Sequence, residues 1–412
     1  MVFLFRNFNN PFVAFNNRNF RYYWLGWMSS LIGTWMQNIA QPWLAYKLTN
    51  SPFLLSLVAA LQFLPMLFLS LFAGVLLDRF SKRKVLIITQ SCLLVITMVP
   101  AILIWTEQIQ YWHILILATL MGIINSIDMP ARQSFVVEMV GKDNTLNAVS
   151  LTSATFNVAR LVGPAIAGIT MSINGPAWCF FINSLSFGAL LLALGFIKPT
   201  WQAAHRMRSR NVFVNIKEGL IYVRNDSNIS KTLLIIAIVA TFGVNHQVLV
   251  PVFTNVVLMG QEAGFGFMMS CVGAGSLFGA LGVATMSKNG PRRFNLQIAP
   301  VIVGVMLIII GFIPATFYFY AICLFILGFF FVSFSSSSNS NIQLSSSNEY
   351  RGRVMSIYAV VFSGSTPLGS LYTGFFSDHF GPRAGYLACG IMILFLIGIV
   401  LLARFRKHLV SG

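Results

Sequence analysis

Charge is what this chain lacks most. Only 9% of its 412 residues are Asp, Glu, Lys or Arg, against about 25% in soluble domains. Acids are the scarcest, since Asp and Glu together number 10 against 27 Lys and Arg. Apolar residues make up 57% of the chain, and its mean hydropathy is +0.77. These values exclude a string of soluble domains and indicate one polytopic membrane protein.

Motifs of enzyme chemistry are also missing. The chain contains no HExxH, GxSxG or GxxxxGK[ST] sequence, so metal-dependent hydrolysis, serine chemistry and ATP coupling have no support. We therefore expect no enzyme activity, no cofactor and no metal site. The cysteines all lie in apolar runs without metal-ligand spacing, so we interpret them as packing residues and expect no disulfide. They are Cys92, Cys179, Cys271, Cys323 and Cys389.

Twelve apolar runs of about twenty residues follow one another along the chain. This is the length of an α-helix that crosses ~30 Å of hydrocarbon. The pattern predicts an all-α membrane protein with twelve transmembrane helices. The predicted spans are 22–46, 53–77, 85–105, 112–133, 146–171, 176–197, 231–258, 263–286, 295–313, 315–340, 353–376 and 384–403.

Lys and Arg are sorted between alternate connections. With a cytoplasmic N-terminus, 24 of the 27 fall on the inner side; Lys47 and Arg383 fall outside, and Arg160 lies within a span. This asymmetry follows the positive-inside rule and predicts that both termini are cytoplasmic. We interpret the net charge of +17 as topogenic charge at an anionic inner leaflet. Nucleic acid is not an expected partner, because the basic residues are spread over many short connections.

A long basic connection separates the sixth predicted span from the seventh. Apolar residues at helical spacing within it predict an amphipathic helix on the inner surface. We therefore predict two six-helix bundles with a linker between them and a cytoplasmic tail at each end. The predicted boundaries are 1–21 for the first tail, 22–197 for the first bundle, 198–230 for the linker, 231–404 for the second bundle and 405–412 for the last tail.

The two halves also contain weak internal repeats. Gly74–Lys84 has a counterpart in Gly282–Arg293, and Pro130–Ser134 has one in Ser340–Ser345, at an offset of about 210 residues. Parallel repeats of this kind bring two helical bundles together around a central cavity.

Two motifs resemble signatures of the major facilitator superfamily. "GVLLDRFSKRK" (Gly74–Lys84) resembles the family's Gly-x-x-x-Asp-Arg-x-Gly-Arg-Arg loop between spans two and three, with Ser81 where Gly is usual. "ARLVGPAIAG" (Ala159–Gly168) resembles the Gly-Pro motif of antiporters in span five, with Ala159 in place of the first Gly. Together with "GTWMQNIAQPWLAYKLTNSP", "DMPARQSFV" and "RGRVMSIY", they are similar to the branch that contains the enterobactin exporter and macrolide efflux permeases.

The resemblance implies a secondary active transporter of the bacterial inner membrane. We expect a monomer that exports a small amphipathic molecule, siderophore-like or drug-like, by proton-coupled alternating access. Its partners would be that substrate, protons and the lipid bilayer. An uptake permease on the same fold and a non-transporting sensor or scaffold are the alternatives. The Gly-Pro motif favours export, and the loop that contains Asp78 argues against a sensor or scaffold.

The loop after span two is the first candidate for mechanism. The resemblance implies that it latches onto span eleven in the outward-facing state. A carboxylate at the N-terminus of that span gains about 0.3–1 kcal/mol. The alternative is that this loop only determines topology. The predicted latch residues are Gly74, Asp78, Arg79, Arg83 and Arg132.

Buried charges are the second candidate. An isolated Arg in a span costs several kcal/mol and needs a partner; for Arg160 the nearest acid by depth is Asp128. The pair is either proton-sensitive or a permanent structural link. His246, deep in span seven, is another titration candidate, or else a hydrogen-bonded structural residue. Span four lacks the mid-helix Arg that some family members have.

Polar and aromatic residues within spans predict the substrate cavity. Gln37 and Gln41 are spaced to share one helix face, and amides with aromatic rings suit a polyhydroxylated or aromatic substrate. The cavity candidates are Trp35, Gln37, Asn38, Gln41, Asn245, Gln247 and Asn339. Gly163, Pro164 and Gly168 form the antiporter motif, which in the family limits leak; ordinary helix packing is the alternative.

Overall fold

The computed structural model describes residues 12–197, 212–258, 261–286, 290–312, 316–347 and 349–410. Within these ranges the side chains of residues 70–76, 78, 142, 212–216, 293, 401 and 403–410 lie outside the described part. The described residues form α-helices joined by short turns, with no β-strand among them. The predicted all-α class is confirmed.

The first half of the chain forms six long helices. Helices α4 and α5 belong to one helical run that is broken at Gly141, whose φ of +73° is in the region that favours glycine. The helices are α1 (Arg18–Thr49), α2 (Pro52–Arg79), α3 (Lys82–Trp105), α4 (Tyr111–Gly141), α5 (Asp143–Asn174) and α6 (Ala177–Phe196).

Helix α1 begins earlier than the span predicted at 22–46. The Oδ1 atom of Asn17 accepts hydrogen bonds from the backbone N–H groups of Asn19 at 2.9 Å and Phe20 at 3.3 Å. Such a cap satisfies donors that the first helical turn leaves free. The helix therefore begins at Arg18, and residues that were assigned to the tail 1–21 are helical.

The described residues of the second half form nine helices, several of them short. Its first helix lies in the stretch predicted to be amphipathic, and the ring of its Tyr222 stacks at 4.6 Å on that of Tyr350, the residue before the helix that begins at Arg351. The helices are α7 (Val212–Asn225), α8 (Ser227–Phe242), α9 (His246–Val256), α10 (Glu262–Met286), α11 (Arg293–Gln297), α12 (Ala299–Phe312), α13 (Phe317–Ser345), α14 (Arg351–Phe380) and α15 (Pro382–Val410).

The seventh predicted span, 231–258, is not one continuous helix. It divides into α8 and α9 at residues 243–245, where Gly243 and Asn245 are poor helix formers. The Nδ2 atom of Asn245 donates to the carbonyl of Thr241 at 2.8 Å. The side chain thus satisfies a carbonyl near the end of α8.

Ten helical segments of the described residues are long and apolar enough to cross a membrane. Helix α1 is not among them, because the amides Gln37, Asn38 and Gln41 lower its mean hydropathy. Helix α12 is apolar but has only 14 residues. The count of twelve crossings, and the domain boundaries drawn from it, stay predictions.

Two glycines mark equivalent points in the two halves. Gly175, after α5, has φ +83° and ψ 169°, and Gly381, after α14, has φ +86° and ψ 163°. Only glycine adopts this conformation readily. Each is followed by proline, and the spacing of 206 residues agrees with the offset of the sequence repeats. The backbone therefore repeats where the sequence similarity is too weak to be detected.

Close backbone contacts join the halves. In α5 and α10, a Cβ added to Gly168 would lie 2.9 Å from the Cα of Gly266, and one added to Gly266 would lie 2.6 Å from the Cα of Gly168. Between α2 and α14, a Cβ on Gly374 would lie 2.4 Å from the Cβ of Ser56. Small residues allow such approach without side chains between the helices.

Candidate functional site

We call the end of the molecule that carries the turns at residues 50–51, 106–110, 175–176 and 381 the outer end, following the predicted topology. Here hydrogen bonds cross between the halves. The Oδ1 atom of Asp378 accepts from Ser51 Oγ at 2.7 Å and from the backbone N–H of Phe53 at 3.3 Å. The indole Nε1 of Trp43 donates to Glu262 Oε1 at 3.2 Å. These are the outer contacts.

Charged contacts at the inner end stay within one half. Lys82 Nζ lies 2.7 Å from Glu138 Oε1 in the first half, and Arg353 Nη1 lies 2.8 Å from Glu218 Oε2 in the second. Arg83 Nε donates to the carbonyl of Leu194 at 2.9 Å. Crossing contacts at one end and internal contacts at the other indicate an arrangement that is open towards the inner end.

Among the described side chains, none of the predicted latch residues contacts α14. Arg83 binds carbonyls at the end of α6, and Arg132 binds Asp128, so both side chains contact their own half rather than α14. Arg79 is exposed. The surroundings of Gly74 and the side chain of Asp78 lie outside the described part of the structure.

A buried carboxylate joins α3 to α4. Asp128 is 1% exposed, and its Oδ1 atom accepts from Thr89 Oγ1 at 2.6 Å and from Gln90 Nε2 at 2.7 Å. Its Oδ2 atom forms an ion pair with Arg132. The predicted pair with Arg160 is therefore wrong. A residue four positions along the same helix lies on the same face, so Arg132 reaches Asp128 without any contact between helices.

Arg160 lies near the middle of α5 and is only half-buried. Its Nη2 atom donates to Asn157 Oδ1 at 2.9 Å, and its guanidinium lies 5.9 Å from the ring centroid of Phe156. Its Nε atom has no hydrogen-bond partner, and no ion pair of the described residues includes it. His246, the first residue of α9, lies close enough for their charges to interact.

An amide-lined cleft opens between α1, α2 and α9. Gln41 Nε2 donates to Gln62 Oε1 at 3.4 Å across it. The amide residues of this cleft, which we call the amide cleft, are Asn38, Gln41, Gln62 and Gln247, and its apolar lining is Pro42, Leu55, Val58 and Ala59. Three of the four amides are predicted cavity residues. Gln62 is not, although a lone amide in the otherwise apolar second span is the signal that identifies it.

Two predicted cavity residues face elsewhere. Gln37 is fully buried, accepts from Asn183 Nδ2 at 2.6 Å and donates to Met121 Sδ at 3.0 Å, so it packs against α6 and α4. Asn245 is 4% exposed and points to Thr241 and Cys389 within the second half. The amide nitrogens of Gln37 and Asn245 thus donate within their own halves, since a buried N–H group without a hydrogen bond would be costly.

The remaining predicted residues divide between the centre and the inner end. The ring of Trp35 meets the ring of Phe156 at 5.6 Å, edge to face, next to Arg160. Asn339 accepts from Gln343 near the end of α13, away from the amide cleft. The structure thus brings together Trp35, Arg160 and His246 but leaves Asn339 apart.

Residues of the predicted antiporter motif lie at helix contacts. A Cβ on Gly163 would lie 2.4 Å from the Cβ of Trp35 in α1, and Gly168 contacts Gly266 in α10. The carbonyl oxygen of Pro164 would lie 2.6 Å from a Cβ on Gly266. The motif therefore serves close packing, partly within the first half and partly between the halves.

A family model described as transmembrane secretion effector matches residues 9–410. The chain belongs to this family of the major facilitator superfamily. Curated proteins that are similar to this chain include the multidrug efflux pump Tap of Mycolicibacterium fortuitum, 28% identical over 90% of this chain and 92% of that protein. The staphyloferrin A transporter of Staphylococcus aureus is 27% identical over 87% and 90%. Macrolide efflux protein A of Streptococcus pyogenes is 21% identical over 92% and 95%.

Solved structures agree on the fold. A bacterial homologue of the human lysosomal transporter Spinster, determined in an inward-facing and occupied conformation, superposes with a TM-score of 0.74 over 96% of this chain and 97% of that one, at 13% identity. The predicted resemblance to the major facilitator superfamily is confirmed. The protein is a multi-pass membrane transporter of small molecules and not an enzyme.

Proposed function

We propose that the protein exports a small amphipathic molecule across the bacterial inner membrane by proton-coupled alternating access. The observation that carries the proposal is the distribution of contacts between the halves. Hydrogen bonds of Asp378 and Glu262 join the halves at the outer end, whereas charged groups at the inner end bind within their own half. Breaking a few exposed or half-buried hydrogen bonds costs little free energy. The halves can therefore open at the outer end and close at the inner end.

The names of the relatives support the direction. Two of the three are described as efflux proteins, and the third as a transporter of staphyloferrin A. Export against a gradient needs a driving force. One proton moved through 100 mV supplies about 2.3 kcal/mol, enough for a roughly fifty-fold gradient of a neutral solute.

Asp128 is our candidate for the proton-coupling group. Protonation would remove the negative charge that Arg132 neutralises and would leave a buried cation, which is the costly species. The change would weaken the link between α3 and α4 and bias the conformational equilibrium. The latch around Asp78 would form in the opposite state, in which the inner ends approach each other.

Everted membrane vesicles test this function. We expect vesicles that contain the protein to accumulate some members of a panel of anionic, neutral and cationic fluorescent amphipathic probes when their interior is acidic. Nigericin, which abolishes the pH gradient, should abolish the accumulation, and Asp128→Asn should lower it strongly. Vesicles without the protein are the control. Accumulation that is insensitive to nigericin would refute proton coupling, and accumulation only in right-side-out vesicles would indicate uptake.

A further inference from the structure

Arg160 is a membrane-embedded cation for which the described residues provide no anion. Its guanidinium has five N–H donors in a fixed planar arrangement and stays charged in proteins. Among the described residues one hydrogen bond is made, to the neutral amide of Asn157, and Nε has no partner. Asp128, the acid that the sequence predicts as its ion-pair partner, is bound to Arg132, Thr89 and Gln90.

The position of Arg160 shows where a counter-charge would come from. Charged side chains at the centre of a span face protein or a water-filled cavity, because lipid does not solvate them. Arg160 is only half-buried, and its backbone lies on the face of α5 that meets the second half, where its carbonyl oxygen would lie 2.5 Å from a Cβ on Gly273. The backbone of Arg160 therefore lies where the two halves meet, and its charged group must face protein or a water-filled space rather than lipid.

Each group near Arg160 suits a different part of an amphipathic molecule. Trp35 and Phe156 present aromatic rings beside Arg160. Gln41, in the amide cleft, follows Trp35 by six residues on α1, about 9 Å along the helix at 1.5 Å per residue. A cation and an aromatic surface thus lie side by side, and a polar cleft lies about 9 Å further along α1.

We propose that Arg160 binds the anionic group of the transported substrate, and that this substrate is an amphipathic carboxylate. The inference rests on the proposed function and names the substrate class of its cavity. A single guanidinium matches a monoanionic carboxylate, which it binds through two parallel hydrogen bonds. The bound carboxylate supplies the missing partner, so the cost of the lone cation is relieved only when substrate is present.

Equilibrium binding in nanodiscs of zwitterionic lipid tests this claim without a gradient. The probes are dansylglycine, a carboxylate, and dansylglycinamide, its neutral amide of nearly equal size; empty nanodiscs give the background. Wild-type protein should bind dansylglycine about tenfold more tightly, because a charge-assisted bond contributes 1.4 kcal/mol or more. Arg160→Gln should abolish the preference, Arg160→Lys should retain part of it, and the exposed control Arg383→Gln should retain it fully.

The comparison of the two probes on wild-type protein needs no variant, so a folding defect in Arg160→Gln does not remove the test. Equal affinity of wild type for both probes, or binding of neither, would overturn the proposal. An unchanged preference in folded Arg160→Gln would do the same. If the protein shows no preference for dansylglycine but exports probes under a pH gradient, only the carboxylate class is refuted. If it prefers the carboxylate but exports nothing, the proposed function is refuted.

Discussion

Asp128 and Arg132 form an ion pair one turn apart on α4, and the carboxylate also accepts hydrogen bonds from Thr89 and Gln90 of α3. The carboxylate thus fixes two helices of the first half to each other. Its nearly complete burial makes the pair sensitive to the loss of either partner, because the remaining charge is left without compensation.

Removal of one partner of this ion pair should therefore lower the free energy of unfolding more than removal of both. We expect Arg132→Ala to destabilise the protein by about 3–5 kcal/mol, whereas the double variant Asp128→Asn with Arg132→Ala should recover part of that loss. Thermal unfolding in detergent, followed by tryptophan fluorescence, measures both. A double variant whose loss is the sum of the single losses would show that the two residues do not interact.

The contact between Gly168 and Gly266 leads to a second prediction, with a control on the same helix. Gly266→Ala places a methyl group 2.6 Å from the Cα of Gly168, so we expect a loss of about 1–3 kcal/mol from overpacking. In Gly264→Ala the nearest atom, Cε2 of Phe317, is 3.4 Å away. That variant should be neutral or slightly stabilised, since alanine is favoured over glycine in a helix by up to ~1 kcal/mol.

Thermal unfolding and the vesicle assay check this pair together. Gly266→Ala should lower both the unfolding midpoint and the accumulation of probe, because α5 and α10 join the halves. Equal behaviour of the two alanine variants would mean that the close approach of the backbones has no importance for stability or transport.

Much of the fold follows from the sequence, because hydrophobic length and the distribution of Lys and Arg report directly on the membrane. The break at residues 243–245 was not predicted, although Asn245, His246 and Gln247 interrupt the apolar run, because polar residues within a span do not by themselves show that a helix ends there. The helical start at Arg18 was missed because it depends on one side chain, Asn17, that caps the helix. Local backbone chemistry is weaker than hydropathy as a sequence signal.

Site residues were harder to predict, because sequence shows that a residue is polar but not which neighbour it meets. Gln37 and Gln41 do share a face, and a hydrogen bond of 3.4 Å joins them. Yet Gln37 binds Asn183 of α6, while Gln41 turns to Gln62 of α2. Similar depth in the membrane likewise suggested Arg160 as the ion-pair partner of Asp128. The partner is instead Arg132, four residues along the same helix.

Topology is testable with two introduced cysteines. Gln108 is exposed in the turn after α3, and Gly352 is exposed near the start of α14, where an added Cβ meets no atom within 4 Å. A membrane-impermeant maleimide should label Gln108→Cys in intact spheroplasts and should label Gly352→Cys only in everted vesicles. Wild-type protein controls for its native cysteines. The opposite labelling pattern would reverse the assigned orientation.

Alternating access requires that the outer contacts break during each cycle. Ser51 and Asp378 belong to different halves and are joined by a hydrogen bond of 2.7 Å, so a cysteine pair at these positions should form a disulfide on mild oxidation. The single variants Ser51→Cys and Asp378→Cys, treated with the same oxidant, control for effects on the native cysteines and for the loss of each side chain.

The measurement that tests the account most directly is transport by this pair before oxidation, after oxidation and after reduction with dithiothreitol. We expect oxidation to abolish pH-driven accumulation in everted vesicles and reduction to restore it, because a covalent link holds the outer ends together. Undiminished transport by fully cross-linked protein would contradict the claim that the two halves separate at the outer end.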